Sequence, residues 1–129
     1  MQTGSDSAIF CKKFRVMFLV SEVHPFNDGN GRVGRIMMNG ELVANGEQRI
    51  IIPIVYRNNY LPALRALSNS GYAEALFRTL DFAQKYTNSI DWSNDREAVE
   101  LLKKTNAFMN PNEADEKAIR LKLPNEIAQ

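Results

Sequence analysis

Residues 24–35 read His-Pro-Phe-Asn-Asp-Gly-Asn-Gly-Arg-Val-Gly-Arg, and this short stretch gathers the groups that phosphate chemistry needs. A Gly-Asn-Gly turn that opens a helix presents backbone N–H groups outward, and the helix dipole adds partial positive charge at the same end. Such a turn is an anion cradle. Arg32 and Arg35 lie three positions apart, so on a helix both guanidinium groups can reach one phosphate chain. Asp28 stands just before the cradle. A carboxylate beside a phosphate site makes electrostatic sense when it holds a divalent cation that bridges phosphate oxygens. His24, fixed by Pro25 at a helix exit, can then take a proton from an attacking hydroxyl. It is the only histidine, so any imidazole chemistry must pass through it.

Three other readings of this stretch compete. Gly29-x-Gly31-x-x-Gly34 has the letters of a dinucleotide fingerprint, but a Rossmann turn follows its strand at once, and here eight residues separate Val20 from Gly29. Gly29-x-x-x-x-Gly34 has P-loop spacing, yet Arg35-Ile36 replaces Lys-Ser/Thr and removes the magnesium hydroxyl. Taken one residue at a time, a surface histidine and two solvated arginines on a glycine-rich turn is the simpler reading. Taken jointly, within twelve residues holding the only histidine, the phosphate site is the stronger one.

The elements that position this stretch carry mostly helical periodicity. Asp6 or Ser7 can cap a first helix, apolar at Ile9, Phe10, Phe14, Met17, Phe18 and Val20, that ends near Val23 because Pro25 disfavours helix at His24. A second helix is predicted from near Arg32, with Val33, Ile36, Met37, Leu42 and Val43, to just before Gly46. A short extended piece, Arg49–Pro53, leads to a helix from Asn58 to about Ser68, with Gly71 where a left-handed cap is wanted. Tyr72 to about Tyr86 forms another amphipathic segment with Leu76, Leu80 and Phe82 or Ala83 inward. Asn94-Asp95-Arg96-Glu97 and Asn110-Pro111-Asn112-Glu113 resemble capping boxes, so two more helices follow, the last ending before Pro124. The expected fold class is all-α.

Composition narrows the function further. At 129 residues with 44% apolar and 24% charged side chains, the chain reads as one globular domain. Sixteen Lys and Arg against fifteen Asp and Glu leave a net charge of +1, and no basic stripe marks a nucleic-acid partner. Cys11 is the only cysteine, which excludes an internal disulfide and a cysteine-based zinc site and suits a reducing cytoplasm. The longest apolar runs, Val16–Val20 and Ile50–Val55, fall far short of the roughly 20 residues that span a bilayer. The first ten residues do not read as a signal peptide. The expectation is a cytoplasmic protein without a membrane or nucleic-acid partner.

The twelve-residue stretch resembles the full signature of Fic (Fido) domains, His-Pro-Phe-x-Asp/Glu-Gly-Asn-Gly-Arg-x-x-Arg, with every defined position matched. An apolar helix before it, a helix after it, and Tyr56-Arg57-Asn58-Asn59-Tyr60 leading into another are also similar to Fic chains. The resemblance implies a Fic-like helical bundle with the anion-binding loop between two central helices, a core at residues 1–90 and a helical tail at 91–129 packed on the same domain. It also implies transfer of AMP from ATP, with Mg²⁺, to a Ser, Thr or Tyr hydroxyl of a target protein. By that resemblance His24 is the general base and Asp28 holds Mg²⁺ on the α- and β-phosphates. Gly29, Asn30 and Gly31 cradle the phosphates, Arg32 contacts the phosphate tail, Arg35 reaches the γ-phosphate and Phe26 is a core anchor.

Two departures from the family pattern qualify what the resemblance implies. Only 23 residues precede His24, so the upstream helices and the β-hairpin flap that aims a target hydroxyl are expected to be missing. The family's inhibitory helix reads Ser/Thr-x-x-x-Glu-Gly/Asn, and the nearest stretch, Ser70 to Glu74, is followed by Ala75, so an inhibitory glutamate is expected from elsewhere. An alternative is therefore a nucleotide-binding or interaction module that does not turn over, and related chemistries on the same site are AMP removal and phosphate transfer. Helix faces without upstream partners, including some of Phe10, Phe14, Phe18, Met37 and Met38, predict self-association.

Overall fold

The computed structural model describes residues 17–19, 23 and 29–127. Most of the first predicted helix, with Phe10 and Phe14, lies outside them, as do His24, Phe26 and Asp28. The chain divides into two compact units, Met1–Arg49 and Ile50–Gln129. Among the described residues every regular element is helical.

In the first unit, residues 17–19 and 23 are helical, and Met17 is fully buried. Helix α1 (Asn30–Ala44) starts two residues earlier than the sequence predicts. Gly29 explains this, because its φ of 72° turns the chain through the left-handed region and its carbonyl accepts the first helical bond from Val33 N–H at 2.9 Å. Only glycine adopts that conformation freely. Gly34, Met38 and Leu42, each four residues apart, form the buried stripe. Of the apolar residues predicted on this helix, Leu42 is buried, Val33 is half-buried, and Ile36, Met37 and Val43 are exposed. Met38, predicted among the unpartnered positions, is completely buried. The helix stops where expected: Gly46 (φ 75°) donates to Val43 O and Glu47 donates to Leu42 O, a Schellman closure.

The second unit begins with an irregular stretch at 50–53 and a 3-10 turn at Ile54–Tyr56. Helices α2 (Arg57–Ser70) and α3 (Glu74–Asn88) follow, separated at Gly71, whose φ of 71° confirms the predicted left-handed cap. On α3, Leu76, Leu80 and Ala83 are buried as predicted, joined by Tyr86 and Thr87, while Phe82 is half-buried. Helix α4 (Asp95–Lys104) is capped by the Asn94 side chain, which accepts from Glu97 N–H. Helix α5 (Pro111–Glu116) is capped by Asn110, which accepts from Asn112 and Glu113 N–H, with Pro111 at the first helical position. Val55, Tyr86, Ile90, Ala98, Ala107, Ala114 and Leu121 form one core, with Phe82, Trp92 and Leu102 packed against it.

Polar ties reinforce that core. Thr105 donates its hydroxyl proton to Leu101 O at 2.6 Å, and its oxygen also hydrogen-bonds with the Tyr86 hydroxyl. Trp92 Nε1 donates to Thr87 O, and Asn58 Nδ2 donates to both Asn112 and Asp115. The last α-helix stops at Glu116, well before Pro124. Ala118 takes φ 55°, Ala118 N–H meets Asp115 O and Ile119 N–H meets Ala114 O, a Schellman stop without glycine.

Candidate anion-binding site

The described part of the site is the start of α1. Gly29 sits at its N-cap, Asn30, Gly31 and Arg32 form its first turn, and Arg35 begins the second. The sequence therefore placed these five residues correctly on one helix terminus, although it set the helix start slightly late. The first N–H groups of an α-helix have no acceptor within the helix, and the dipole makes that end electropositive. The N-cap Gly29 has no side chain with which to cap this terminus, and no acidic residue occupies the first turn.

Arg35 adds charge to that end. Its guanidinium Nη1 lies 3.2 Å from where a Cβ on Gly31 would stand, one turn back along the helix. Helical side chains lean toward the N-terminus, and the lack of a side chain at Gly31 leaves room for the guanidinium to lie over the first turn. Arg35 is half-buried, whereas Arg32 is exposed. The two arginines thus differ, one laid along the helix and the other projecting into solvent.

Gly34 enters the sequence analysis only as a letter of the rejected dinucleotide and P-loop patterns. It is buried, and a Cβ built there would lie 3.0 Å from Met17 O and 3.4 Å from Met17 Cα. The signal was present in the spacing: the third glycine of such a fingerprint serves close packing of a helix on its neighbour.

Among the described residues no group of three or more His, Cys, Asp or Glu side chains can hold a metal ion. Asp28, the predicted metal ligand, and His24, the predicted base, lie outside the described residues. Ser70 and Glu74 fall on opposite sides of the Gly71 turn, and Glu74 pairs with Arg78 at 2.6 Å, which holds its carboxyl below the usual range. In the second unit, Tyr56 stacks against Phe82 with ring centroids 5.4 Å apart and lines an open cleft of about 360 Å³ with Asn59, Ala75, Arg78 and Thr79. Burial pushes the Tyr56 phenol up, and its hydrogen bond to Thr79 opposes this in part.

Among the described residues no helix is long and apolar enough to cross a membrane. Residues 2–42 match the Fic/DOC family. The chain is 38% identical over 97 residues to a protein of Aquifex aeolicus named "Probable protein adenylyltransferase", covering 74% of this chain and 27% of that protein. It is 33% identical over 110 residues to "Protein adenylyltransferase Fic" of Drosophila yakuba and 32% identical to that of Drosophila melanogaster, in each case covering 83% of this chain and 21% of the relative. The chain spans about a quarter of the length of the curated relatives it matches. No solved structure matches it. The family match contains the whole of the glycine-rich start of α1 together with the His-Pro-Phe run before it, and the segment at residues 2–42 belongs to the Fic/DOC family.

Proposed function

We propose that the protein acts in AMP transfer from ATP to a hydroxyl of a target protein, with the nucleotide's phosphates held at the start of α1. The observation that carries this reading is the left-handed Gly29 entry into α1 with the Arg35 guanidinium laid over Gly31. Backbone amides of Gly29 to Gly31 and the Asn30 side chain hold phosphate oxygens, Arg32 meets the phosphate tail and Arg35 the γ-phosphate. Preorganised positive charge of this kind stabilises the charge that develops as a phosphoryl group is transferred.

His24 serves as the base. It accepts the proton of the Ser, Thr or Tyr hydroxyl as that oxygen bonds to the α-phosphorus, while the bond from the α-phosphorus to the leaving bridging oxygen breaks and pyrophosphate departs. Asp28 would hold Mg²⁺, which supplies charge neutralisation on the phosphates; one or two carboxylates plus substrate phosphates are a sufficient set for that ion. The relatives named protein adenylyltransferase support the AMP-transfer reading. The lone cysteine supports a reducing, cytoplasmic setting. Residues 1–90 form the Fic-like core in this reading, and residues 91–129 its helical tail.

The test is labelling of a cell lysate by the protein with α-³²P-ATP and Mg²⁺. Label should appear on protein and be lost with His24→Ala. Equal labelling with and without His24 would remove the base from the mechanism.

A further inference from the structure

The helix that carries the two arginines meets the chain segment around Met17 at one point without a side chain. Gly34 is buried, and a Cβ there would stand 3.0 Å from the Met17 carbonyl oxygen and 3.4 Å from Met17 Cα. Both neighbours are backbone atoms, so no rotamer change can relieve the contact; the segment itself must move by a few tenths of an ångström. A glycine inside a helix is otherwise unfavourable, because it loses more backbone freedom than any other residue. Gly40, in the same helix, shows the contrast: nothing lies within 4 Å of its Cβ position.

The location gives this contact its meaning. Gly34 is flanked by the phosphate-binding arginines, two positions after Arg32 and one before Arg35, and Met17 precedes His24 by seven positions in the chain. The cradle groups, Gly29 to Arg32 and Arg35, belong to one helix start, so their mutual spacing follows from that helix, whereas the spacing of the Met17 segment from them follows from the contact at Gly34. We propose that Gly34 is a positioning residue: its missing side chain sets the spacing between the segment leading toward His24 and the helix that holds the nucleotide's phosphates. This inference rests on the phosphate-site reading above. It predicts that a single methyl group at position 34 uncouples two properties that the native protein keeps together, nucleotide affinity and the electrostatic contact between bound nucleotide and the imidazole.

His24 is the only histidine, so its ring resonances are unambiguous by NMR. In the native protein, saturating ATP should raise the pH at which His24 titrates, because nearby phosphate charge favours the imidazolium. Gly34→Ala should bind ATP within about threefold of the native affinity, since every cradle donor stays on its own helix, yet lose at least roughly half of the ATP-induced rise. Gly40→Ala should keep both. A full rise in Gly34→Ala overturns the positioning role and leaves the phosphate site standing; no rise in the native protein overturns the phosphate-site reading and this inference with it. Should Gly34→Ala not fold, the native protein decides: a nuclear Overhauser contact between Met17 Hα and the Gly34 Hα protons that persists with ATP bound supports the spacing role, and its loss on binding overturns it.

Discussion

Helix α1 of the first unit and helices α4 and α5 of the second begin in opposite ways. Asn94 and Asn110 close the starts of α4 and α5 with their side-chain oxygens, and Glu97 and Glu113 add negative charge in the first turns. Helix α1 begins on a glycine with no side-chain cap and no acidic residue in its first turn, and an arginine leans over it. A capped start has its electropositive end neutralised from within the chain. A start that opens on a glycine and carries a guanidinium over its first turn presents electropositive groups of the kind an anion would meet.

The two units should therefore fail differently when altered. The largest effect belongs to the core of the second unit: Leu80→Ala removes a completely buried side chain from α3 and should cost about 2–5 kcal/mol in chemical denaturation. A loss below that range would mean that the surrounding helix collapses onto the gap. Next comes Arg35→Ala, which should weaken ATP by about 1.5–3 kcal/mol, some 10- to 150-fold, and AMP far less, because AMP has no γ-phosphate to lose. Titration calorimetry with ATP, ADP and AMP reads this directly, and equal weakening of all three would put the phosphate tail elsewhere. Asn94→Ala sharpens the contrast at lower amplitude. It should cost about 1 kcal/mol of stability, visible in thermal unfolding, and leave ATP affinity unchanged.

The smallest effect near neutral pH concerns the tyrosines. Burial raises the phenols of Tyr56 and Tyr86 above 10.0, with hydrogen bonds to Thr79 and Thr105 opposing the rise in part. The folded chain then holds these protons at pH values where the unfolded chain has released them. Their contribution to stability is complete below pH 10.0 and falls as pH rises past it through the folded values. Denaturation midpoints measured between neutral and strongly alkaline pH should stay flat with respect to these groups and then drop, and Tyr86→Phe should make the drop shallower.

The site and the scaffold were unequally legible in the sequence. Gly29, Gly31 and the two arginines announce themselves because their chemistry depends on residue type and short-range spacing, which a sequence displays. Helix ends at Gly46 and Gly71 were legible for the same reason, since glycine marks a left-handed turn. The stop at Ala118 was not, because alanine carries no such mark and adopts φ 55° only where the surrounding bonds impose it. The burial of Met38 rather than Met37 was equally hidden. Both are apolar neighbours, and the choice is made by the Gly34 stripe four residues away, whose close approach to Met17 depends on how the chain folds back. The pairing of Tyr86 with Thr105 joins positions 19 residues apart and has no local signature.

The Thr87 hydroxyl has a kinetic consequence. It donates to Ala83 O within α3 and also accepts the amide of Ile51 at 3.0 Å, so a residue in an irregular stretch is tied to the interior of a helix. Thr87 itself is fully buried. Hydrogen exchange at Ile51 therefore requires the opening that frees Thr87, and the Ile51 amide should exchange with the slow kinetics of α3 rather than at the rate of an open loop. One solvent-isotope clock outside any helix thus reports when the middle of the second unit comes apart.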